Sequence, residues 1–366
     1  MGEKLDKPIL NKNPKDGKTK IFRYGMNKIQ GWKQSMDVFN IKDIEIDKEK
    51  NIHILGLFDG HSGKEISQYL SENFSIELSK NNQFIKGDYK QALIDSFKNI
   101  DLSLKTEEIN NKLNILSQQN KKTKIQNLYK EEDVKNNLNQ NDIDDLNIII
   151  DFFEPNNIEE VFISDYMGSS GIVVLISENI TYVANAGNSV CIAINKNLSI
   201  IKNKTIIEQN KYNNSERKRI KIARGIKYGK EKEKKLKKEE YLYTRGFGNF
   251  KYKNNKLIDI NAQEISCEPD IFEISNNDIK FLIICNSGFF ESANIFNQNN
   301  NTNNTNNTNN ERNIANYFIN KLKNDKKLIS DVIGDYFDEY ISNEINKNQI
   351  ENENNLSCII IDFVNN

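Results

Sequence analysis

A short stretch at residues 52–63 combines residue types that could hold a metal ion. An apolar run of strand length ends at Phe58, and the polar sequence Asp-Gly-His-Ser-Gly follows at once, from Asp59 to Gly63. A carboxylate at the mouth of a buried strand is costly unless a cation or hydrogen-bond donors meet it. The two glycines allow the backbone to approach a bound group closely. Asp59 is therefore the strongest single candidate for a metal ligand in the chain.

The same residues also fit a purely structural interpretation. Asp and Ser are common where a helix begins, and apolar residues recur at helical spacing after Lys64. These apolar residues are Ile66, Tyr69, Leu70, Phe74 and Leu78. Short motifs are weak warrants, so spacing alone does not separate a metal-ligand turn from a helix-start turn.

Other segments supply the elements that would position this turn. A second helix is predicted over residues 89–104, and alternating β-branched residues predict strands at 171–176, 180–185 and 189–195. Two strand-like pieces lie between residues 22 and 45. A helical pair is predicted over 311–345, before a closing strand at 358–364. The alternation in these strands suits the inner faces of a β-sandwich.

Composition and charge argue against several classes of protein. Hydrophobic residues make up 37% of the 366 residues, against about 45–50% in typical globular chains. The net charge of −1 gives no global field that would favour nucleic acid or a membrane. No stretch approaches the roughly 20 apolar residues needed to span a bilayer, and the N-terminus is too charged for a signal peptide. The cysteines are far apart and predict reduced thiols: Cys191, Cys267, Cys285 and Cys358. We therefore expect a cytoplasmic or nuclear protein.

Low-complexity segments divide the chain. Residues 1–20 are polar and Lys-rich, which predicts a flexible arm before one domain at 21–364. Insertions are predicted at about 105–145, 203–240 and 297–310, where Asn, Lys and Glu dominate. Within 203–240, the lysine run at 230–240 is interleaved with glutamates and contains no aromatic residue, which favours a solvated loop over a nucleic-acid site. Gly2 after Met1 allows N-myristoylation and a weak peripheral membrane anchor, although Asp6 stands where the usual pattern has Ser or Thr.

Several separate motifs, taken in chain order, resemble one enzyme family. They are RYG at 23–25, QGWK at 30–33, SMD at 35–37, FDGHSG at 58–63, YVANAGNS at 182–189, TRGFGNFKYK at 244–253, EPD at 268–270, FLIICNSGFFE at 281–291 and NNLS at 354–357. This order resembles the metal-dependent (PPM-type, protein phosphatase 2C) Ser/Thr phosphatases, from residue 1 to about 364. The resemblance implies an α+β fold, an α-β-β-α sandwich of two antiparallel sheets flanked by helices.

The resemblance also implies a catalytic centre between the two sheets. In the family, two Mg or Mn ions activate a water that attacks phosphorus, and hard ions of this kind prefer carboxylate oxygens. The implied metal ligands that remain here are Asp37, Asp59 and the Gly60 carbonyl. Lys33 stands at the phosphate-binding position in place of Arg, and His61 is the candidate general acid.

Three further ligand positions of the family have lost their carboxylates. Ser287 and Asn354 stand where the family has acids for the two central ions, so two of those four carboxylates remain, and Asn188 stands where the family has an acid for a third metal ion. Glu291 is a candidate compensating acid beside one of the lost positions. Neutral oxygens bring no charge to balance a divalent cation. The resemblance therefore implies at most one well-held Mg or Mn ion, or two if the enzyme is active.

Two functions follow from these residues. The first is a catalytically impaired pseudophosphatase that binds a phosphoprotein or a regulatory partner through the old cleft. The second is an active Mg- or Mn-dependent protein Ser/Thr phosphatase with a rebuilt metal site. Neither function involves nucleic acid or a transmembrane segment.

Overall fold

A computed structural model describes residues 4–128, 162–202, 209, 213–224, 243–294, 307–323, 327–347 and 353–364. The helices are α1 (Glu65–Lys80), α2 (Asn82–Lys86), α3 (Tyr89–Ser103), α4 (Glu107–Leu128), α5 (Ile163–Tyr166), α6 (Asn214–Ala223), α7 (Ser287–Ser292), α8 (Asn307–Leu322) and α9 (Ile329–Lys347). The strands are β1 (Lys15–Lys18), β2 (Phe22–Ile29), β3 (Val38–Asp47), β4 (Ile52–His61), β5 (Gly168–Ile176), β6 (Ile180–Ala186), β7 (Val190–Asn195), β8 (Phe247–Gly248), β9 (Asp270–Ser275), β10 (Ile279–Cys285) and β11 (Leu356–Phe363).

The strands form two antiparallel sheets that face each other. One sheet has five strands in the order β1-β2-β11-β10-β7. The other has six, in the order β3-β4-β5-β6-β9, with the short β8 paired to β5. Helices α1 and α3 cover the outer face of the six-stranded sheet, and α8 and α9 cover the outer face of the five-stranded sheet. The predicted α-β-β-α sandwich is confirmed.

Strict alternation along the strands builds three apolar layers. In β11, Ile359 and Ile361 face the opposite sheet, whereas Cys358 and Ile360 face the helices. In β4, Leu55 and Leu57 point between the sheets, whereas Ile54 and Phe58 pack under α1 and α3. Because side chains on a strand alternate between faces, a strand covered on both sides must be apolar at nearly every position. This explains the continuous apolar runs in the sequence.

Several predicted elements differ from the observed ones at their edges. Part of the segment predicted as a flexible arm lies against the sheet, because β1 pairs with β2 and the Leu5 amide donates to the Trp32 carbonyl at 2.9 Å. The insertion predicted at 105–145 begins as helix α4, and the one at 203–240 contains α6. The insertion at 297–310 lies mostly outside the described residues, as does Gly2. The four cysteines are buried and free.

Among the described residues, no helix has both the length and the apolar character needed to cross a bilayer.

A buried ion pair fixes one wall of the molecule. The Lys253 amine lies 2.7 Å from Asp101 Oδ2, and both side chains are fully buried. The other carboxylate oxygen of Asp101 accepts a hydrogen bond from the Gly248 amide at 2.7 Å, and Lys253 also donates to the Gly246 carbonyl at 2.9 Å. This network ties residues 246–253 to α3, because each buried charge is satisfied only by this loop geometry.

Removing one member of this pair tests its role. We expect Lys253→Met to lower the free energy of unfolding by about 3–5 kcal/mol, because Asp101 is left charged and buried. Adding Asp101→Asn to that variant should restore part of the loss, since the amide oxygen still accepts from Gly248 without carrying a charge. Urea unfolding of the two variants measures both effects. A Lys253→Met variant within 1 kcal/mol of the parent would contradict this account.

Candidate functional site: the carboxylate cleft

Two carboxylates lie side by side where β3 and β4 meet the edge of the sandwich. Asp59 is paired across the sheet with Val38, the residue after Asp37. The Gly60 amide donates to the Asp37 carbonyl at 3.0 Å, which joins the two turns directly. Both aspartates are buried. The structure thus brings together the three residues predicted as metal ligands.

The backbone at Gly60 leaves no room for a side chain. A Cβ atom there would lie 2.5 Å from the Gly63 carbonyl oxygen and 2.8 Å from Ser67 Oγ. Ser67, on α1, itself donates to the Asp37 carbonyl at 2.7 Å. The glycine therefore allows the helix and both acidic turns to pack closely together.

Asn355 holds the loop that carries Lys33 and Asp37. Its Oδ1 accepts from the Asp37 amide at 2.8 Å. Its Nδ2 donates to the carbonyls of Gln30 and Ser35, both at 2.9 Å. One buried amide from the start of β11 thus sets the position of a loop on the other side of the cleft.

Lys33 forms an ion pair with the carboxylate of Asp37. The Lys33 amine lies 2.7 Å from Asp37 Oδ2, and Ser35 Oγ donates to Asp37 Oδ1 at 2.7 Å. The side chain of Lys33 is 31% exposed and that of Asp37 is 6% exposed, so the ion pair sits at the boundary between solvent and interior. Both oxygens of Asp37 therefore already have a donor within the chain.

Asn286 contacts Asp59, and sequence reasoning did not single it out. The Asn286 Nδ2 donates to Asp59 Oδ2 at 3.1 Å and to the Asn355 carbonyl at 2.8 Å. Its Oδ1 accepts from the amides of Ser357 at 3.0 Å and Phe289 at 3.3 Å, the latter capping α7. All four hydrogen-bonding sites of this fully buried amide are used. The signal in the sequence was a polar residue directly after an apolar strand.

Burial has the largest effect on the pKa of Asp59. Withdrawal from water raises its pKa from 3.8 to about 6, and the Asp37 charge adds to the rise. The Lys33 charge and the Asn286 hydrogen bond lower the pKa but do not cancel this effect. A cation would be expected to hold this carboxylate ionised, and the chain supplies only a shared amine and a neutral amide.

The three residues predicted to stand at lost ligand positions, Ser287, Asn354 and Asn188, carry no carboxylate. Asn188 Nδ2 donates to Ser287 Oγ at 3.2 Å. A Cβ atom on Gly288 would lie 2.6 Å from Asn354 Cβ, which places Asn354 against the turn that carries Ser287. Glu291 is exposed near the end of α7, one helical turn beyond Ser287.

His61 lies against an aromatic wall. Its ring centroid is 4.3 Å from that of Tyr243, whose hydroxyl accepts from Asn249 Nδ2 at 2.6 Å. The buried His61 Nε2 has no hydrogen-bond partner. Burial and the Lys33 charge lower the pKa of His61 to about 3, against a smaller opposing effect of Asp37. The imidazole is therefore neutral at physiological pH and lacks the second ring proton that a general acid would give up.

The donor set fits two divalent ions poorly. Asp37, Asp59 and the Gly60 carbonyl supply oxygens of the kind that Mg or Mn prefers, and one ion between them would have to displace Lys33 from Asp37. The oxygens at the second position belong to neutral side chains. Within the described ranges, no three His, Cys, Asp or Glu side chains converge as a metal-holding group.

Comparison with known proteins places this geometry in context. A family model described as protein phosphatase 2C matches residues 22–122 and 110–295. Protein phosphatase 2C 1 of Paramecium tetraurelia is 26% identical over 296 residues, which is 80% of this chain and 81% of that protein. A phosphatase from a pathogenic strain of Toxoplasma gondii superposes with a TM-score of 0.60 at 13% identity, covering 97% of this chain and 96% of the other. A serine-threonine phosphatase 2C from Toxoplasma gondii gives 0.58 at 12% identity, with 97% and 99% covered. At these identities the structural likeness shows the fold alone.

The raised pKa of Asp59 predicts how stability changes with pH. The folded state holds this proton more tightly than the unfolded state, so the carboxyl favours folding at low pH. That contribution is lost as pH rises from about 4 to about 6. With chelator present, Asp59→Asn should therefore raise the melting temperature by a few degrees at pH 7.5, and the gain should vanish near pH 4.

The exposed Asp278 supplies a matched control, because Asp278→Asn removes the same charge far from the cleft. We expect no change in melting temperature from it at either pH. An Asp59→Asn variant that melts below the parent at pH 7.5 would show that the charged carboxylate is well stabilised by its neighbours.

Proposed function

The chain belongs to the protein phosphatase 2C family, and from this premise we propose that it is a pseudophosphatase. It has the phosphatase fold, a catalytic centre too poor in carboxylates for efficient hydrolysis, and a cleft that binds a phosphoprotein or a regulatory partner. The family is metal-dependent and generally uses Mg or Mn. The question for this chain is whether its cleft can still bind such ions.

One observation carries the proposal: the ion-facing oxygens of the cleft are already bonded within the chain. Lys33 and Ser35 occupy the two oxygens of Asp37, and Asn286 occupies one oxygen of Asp59. Asn188 occupies the hydroxyl of Ser287. A metal ion would have to break these contacts as well as shed its own water, and Mg gives up water reluctantly.

Charge balance points the same way. Two divalent ions bring four positive charges, and the resemblance supplies only two carboxylates to balance them. The Asp37 carboxylate is shared with the Lys33 amine, and Asp59 has a pKa of about 6. Without two ions there is no bridged, activated water, and water that is not bound to a metal keeps a pKa of about 15.7 instead of ~7. We therefore expect the rate of hydrolysis to fall by many orders of magnitude.

Lys33, at the predicted phosphate-binding position, suits recognition of a phosphorylated partner better than catalysis. Lys33 brings a positive charge but not the planar fork with which arginine grips phosphate through two hydrogen bonds. A phosphoryl group would also compete with Asp37 for the same amine. Recognition of a partner would then rely on surfaces around the cleft, with Lys33 adding a single charge contact.

An active enzyme is the second candidate, and one observation favours it. Asp37 and Asp59 are adjacent, with the backbone packed closely at Gly60, which supports the predicted half-site of these three residues. In this case one ion would sit between these residues, and Lys33 would turn towards the substrate phosphate. Glu291 would have to approach the second position from its exposed place on α7.

The cell compartment is inferred from the proposed function, because no contact in the fold indicates it. A protein that reads phosphoproteins would work in the cytoplasm or nucleus. A myristoyl group on Gly2 would add weak, reversible attachment to a membrane surface, since one acyl chain anchors only marginally.

Turnover of a small aryl phosphate with excess manganese tests the proposal directly. We expect a rate indistinguishable from that of a sample carrying Asp59→Asn, because little metal-activated water is formed in either protein. Turnover typical of the family, lost in Asp59→Asn, would establish the second candidate instead.

Restoring the missing carboxylates should restore metal binding. We expect Ser287→Asp combined with Asn354→Asp to increase manganese affinity by at least tenfold, since two anions return to the second ion position. Isothermal titration measures affinity and stoichiometry. The matched control is Asn197→Asp combined with Ser199→Asp, which adds the same charge on an exposed turn beyond β7. Equal affinities for the two double variants would show that residues 287 and 354 do not face the ion position.

A further inference from the structure

A basic and aromatic patch borders the cleft, built from three separate segments. We call it the basic lip: Lys105, Tyr166, Lys251 and Tyr252, which lie around the buried ring of Phe250. The Lys251 amine lies 5.5 Å from the ring centroid of Tyr166 and 4.9 Å from that of Tyr252. The Lys105 amine lies 4.9 Å from the ring centroid of Phe250. The lip is therefore continuous from the end of α3 through α5 to the 3-10 turn at Phe250–Tyr252.

The two amines of the lip contact aromatic rings and, among the described residues, form no ion pair. Among the described residues, no carboxylate forms an ion pair with Lys105 or Lys251, and both side chains are exposed. Lys253 and Asp101, which lie beneath the lip, neutralise each other. Glu107, two residues after Lys105, and Asp165, next to Tyr166, are the acids nearest in sequence, and neither pairs with a lip amine. Within the described part of the chain, the lip thus presents two amines outside any ion pair beside an aromatic side chain, Tyr166, that is 56% exposed.

The lip connects directly to the wall of the cleft. Tyr166 precedes Gly168 by two residues, and Gly168 pairs across the sheet with His61. The Asn249 amide donates to the Met167 carbonyl at 2.8 Å, and its side chain donates to the Tyr243 hydroxyl that adjoins His61. Two residues of extended chain span only about 7 Å. A ligand lying on the lip would therefore reach the mouth of the cleft without a gap.

We propose that the basic lip is a docking surface for an acidic segment of a protein partner. This proposal rests on the proposed function and names the class of partner. Carboxylates of the segment pair with Lys105 and Lys251, and its chain packs across the exposed ring of Tyr166. The far end of the segment then enters the cleft near His61.

The size and charge of the lip favour a protein segment over nucleic acid. Nucleic-acid sites neutralise many phosphates and need an extended run of cations. The lip offers two amines, and the whole chain has a net charge of −1. Cation–π contacts also hold both amines in place, which lowers the entropy lost when a carboxylate pairs with them.

The probe is a labelled peptide rich in Asp and Glu. A neutral version, with Asn and Gln in place of the acids, is measured beside it. Fluorescence anisotropy with the full-length protein should show binding of the acidic peptide that weakens as salt is raised. Each of Lys105→Glu and Lys251→Glu should weaken it by about fivefold, and the double variant by roughly twentyfold or more. Tyr166→Ala should weaken binding by a factor that changes little with salt, because it removes packing and not charge.

The matched control is Lys196→Glu, which makes the same change of charge on an exposed residue beyond β7, at the end of the strand away from the cleft. We expect this variant to bind the acidic peptide within about twofold of the parent, because exposed charges beyond a Debye length are screened. A loss equal to that of Lys105→Glu would mean that the peptide responds to net charge alone, and it would overturn the proposal.

Three further results would overturn the proposal: equal binding of the neutral peptide, no binding of either peptide, or complete displacement by a single-stranded oligonucleotide at low concentration. These results do not depend on turnover. If the lip variants leave peptide binding unchanged while the aryl phosphate remains unhydrolysed, the lip proposal fails and the proposed function stands. If the parent hydrolyses the aryl phosphate and the lip variants lose the peptide, the docking surface stands and the pseudophosphatase assignment fails.

Discussion

Two carboxylates held next to each other away from water constrain the centre of this molecule. Asp37 and Asp59 cannot both be ionised at low cost unless positive charge or hydrogen-bond donors reach them. The chain meets this constraint with its own groups, an amine from Lys33 and an amide from Asn286. Lys33 and Asn286 follow β2 and β10 of the five-stranded sheet, whereas Asp59 ends β4 of the six-stranded sheet, so polar contacts at the cleft join the two sheets, as does the apolar layer between them.

Local sequence patterns predicted much of the fold. The apolar run before Asp59 gave β4, and the spacing from Ile66 to Leu78 gave α1, because periodicity of two or of about 3.6 residues is written into neighbouring positions. The adjacency of Asp37 and Asp59 followed from the family resemblance and was not derivable from spacing. Composition failed where it implied a loose arm, since Lys15–Lys18 is polar and still pairs with β2 through its backbone. Backbone pairing on an edge strand needs little apolar character.

The polar contacts that shape the cleft join residues far apart in the sequence, so local sequence patterns do not predict them. Asn286 and Asp59 are 227 residues apart, and Asp101 and Lys253 are 152 residues apart. A buried Lys in a polar-looking stretch gives no sign of its partner until the fold is known. Tyr243 similarly follows a segment outside the described residues. It contacts His61 where β4 and β8 both pair with β5 at Gly168. Long-range polar pairs of this kind need three-dimensional information.

The place of β11 within the five-stranded sheet has a consequence for synthesis of the protein. Strand β2 pairs with β11 over eight residues, and Arg23 bonds to Asp362 across a separation of 339 residues. The six-stranded sheet, by contrast, can be completed once β9 is made. On the ribosome, an early-emerging β2 therefore waits with one edge unsatisfied while the other sheet assembles, and pairings of such long separation form slowly. During that interval the free backbone groups along that edge of β2 can pair with other extended segments.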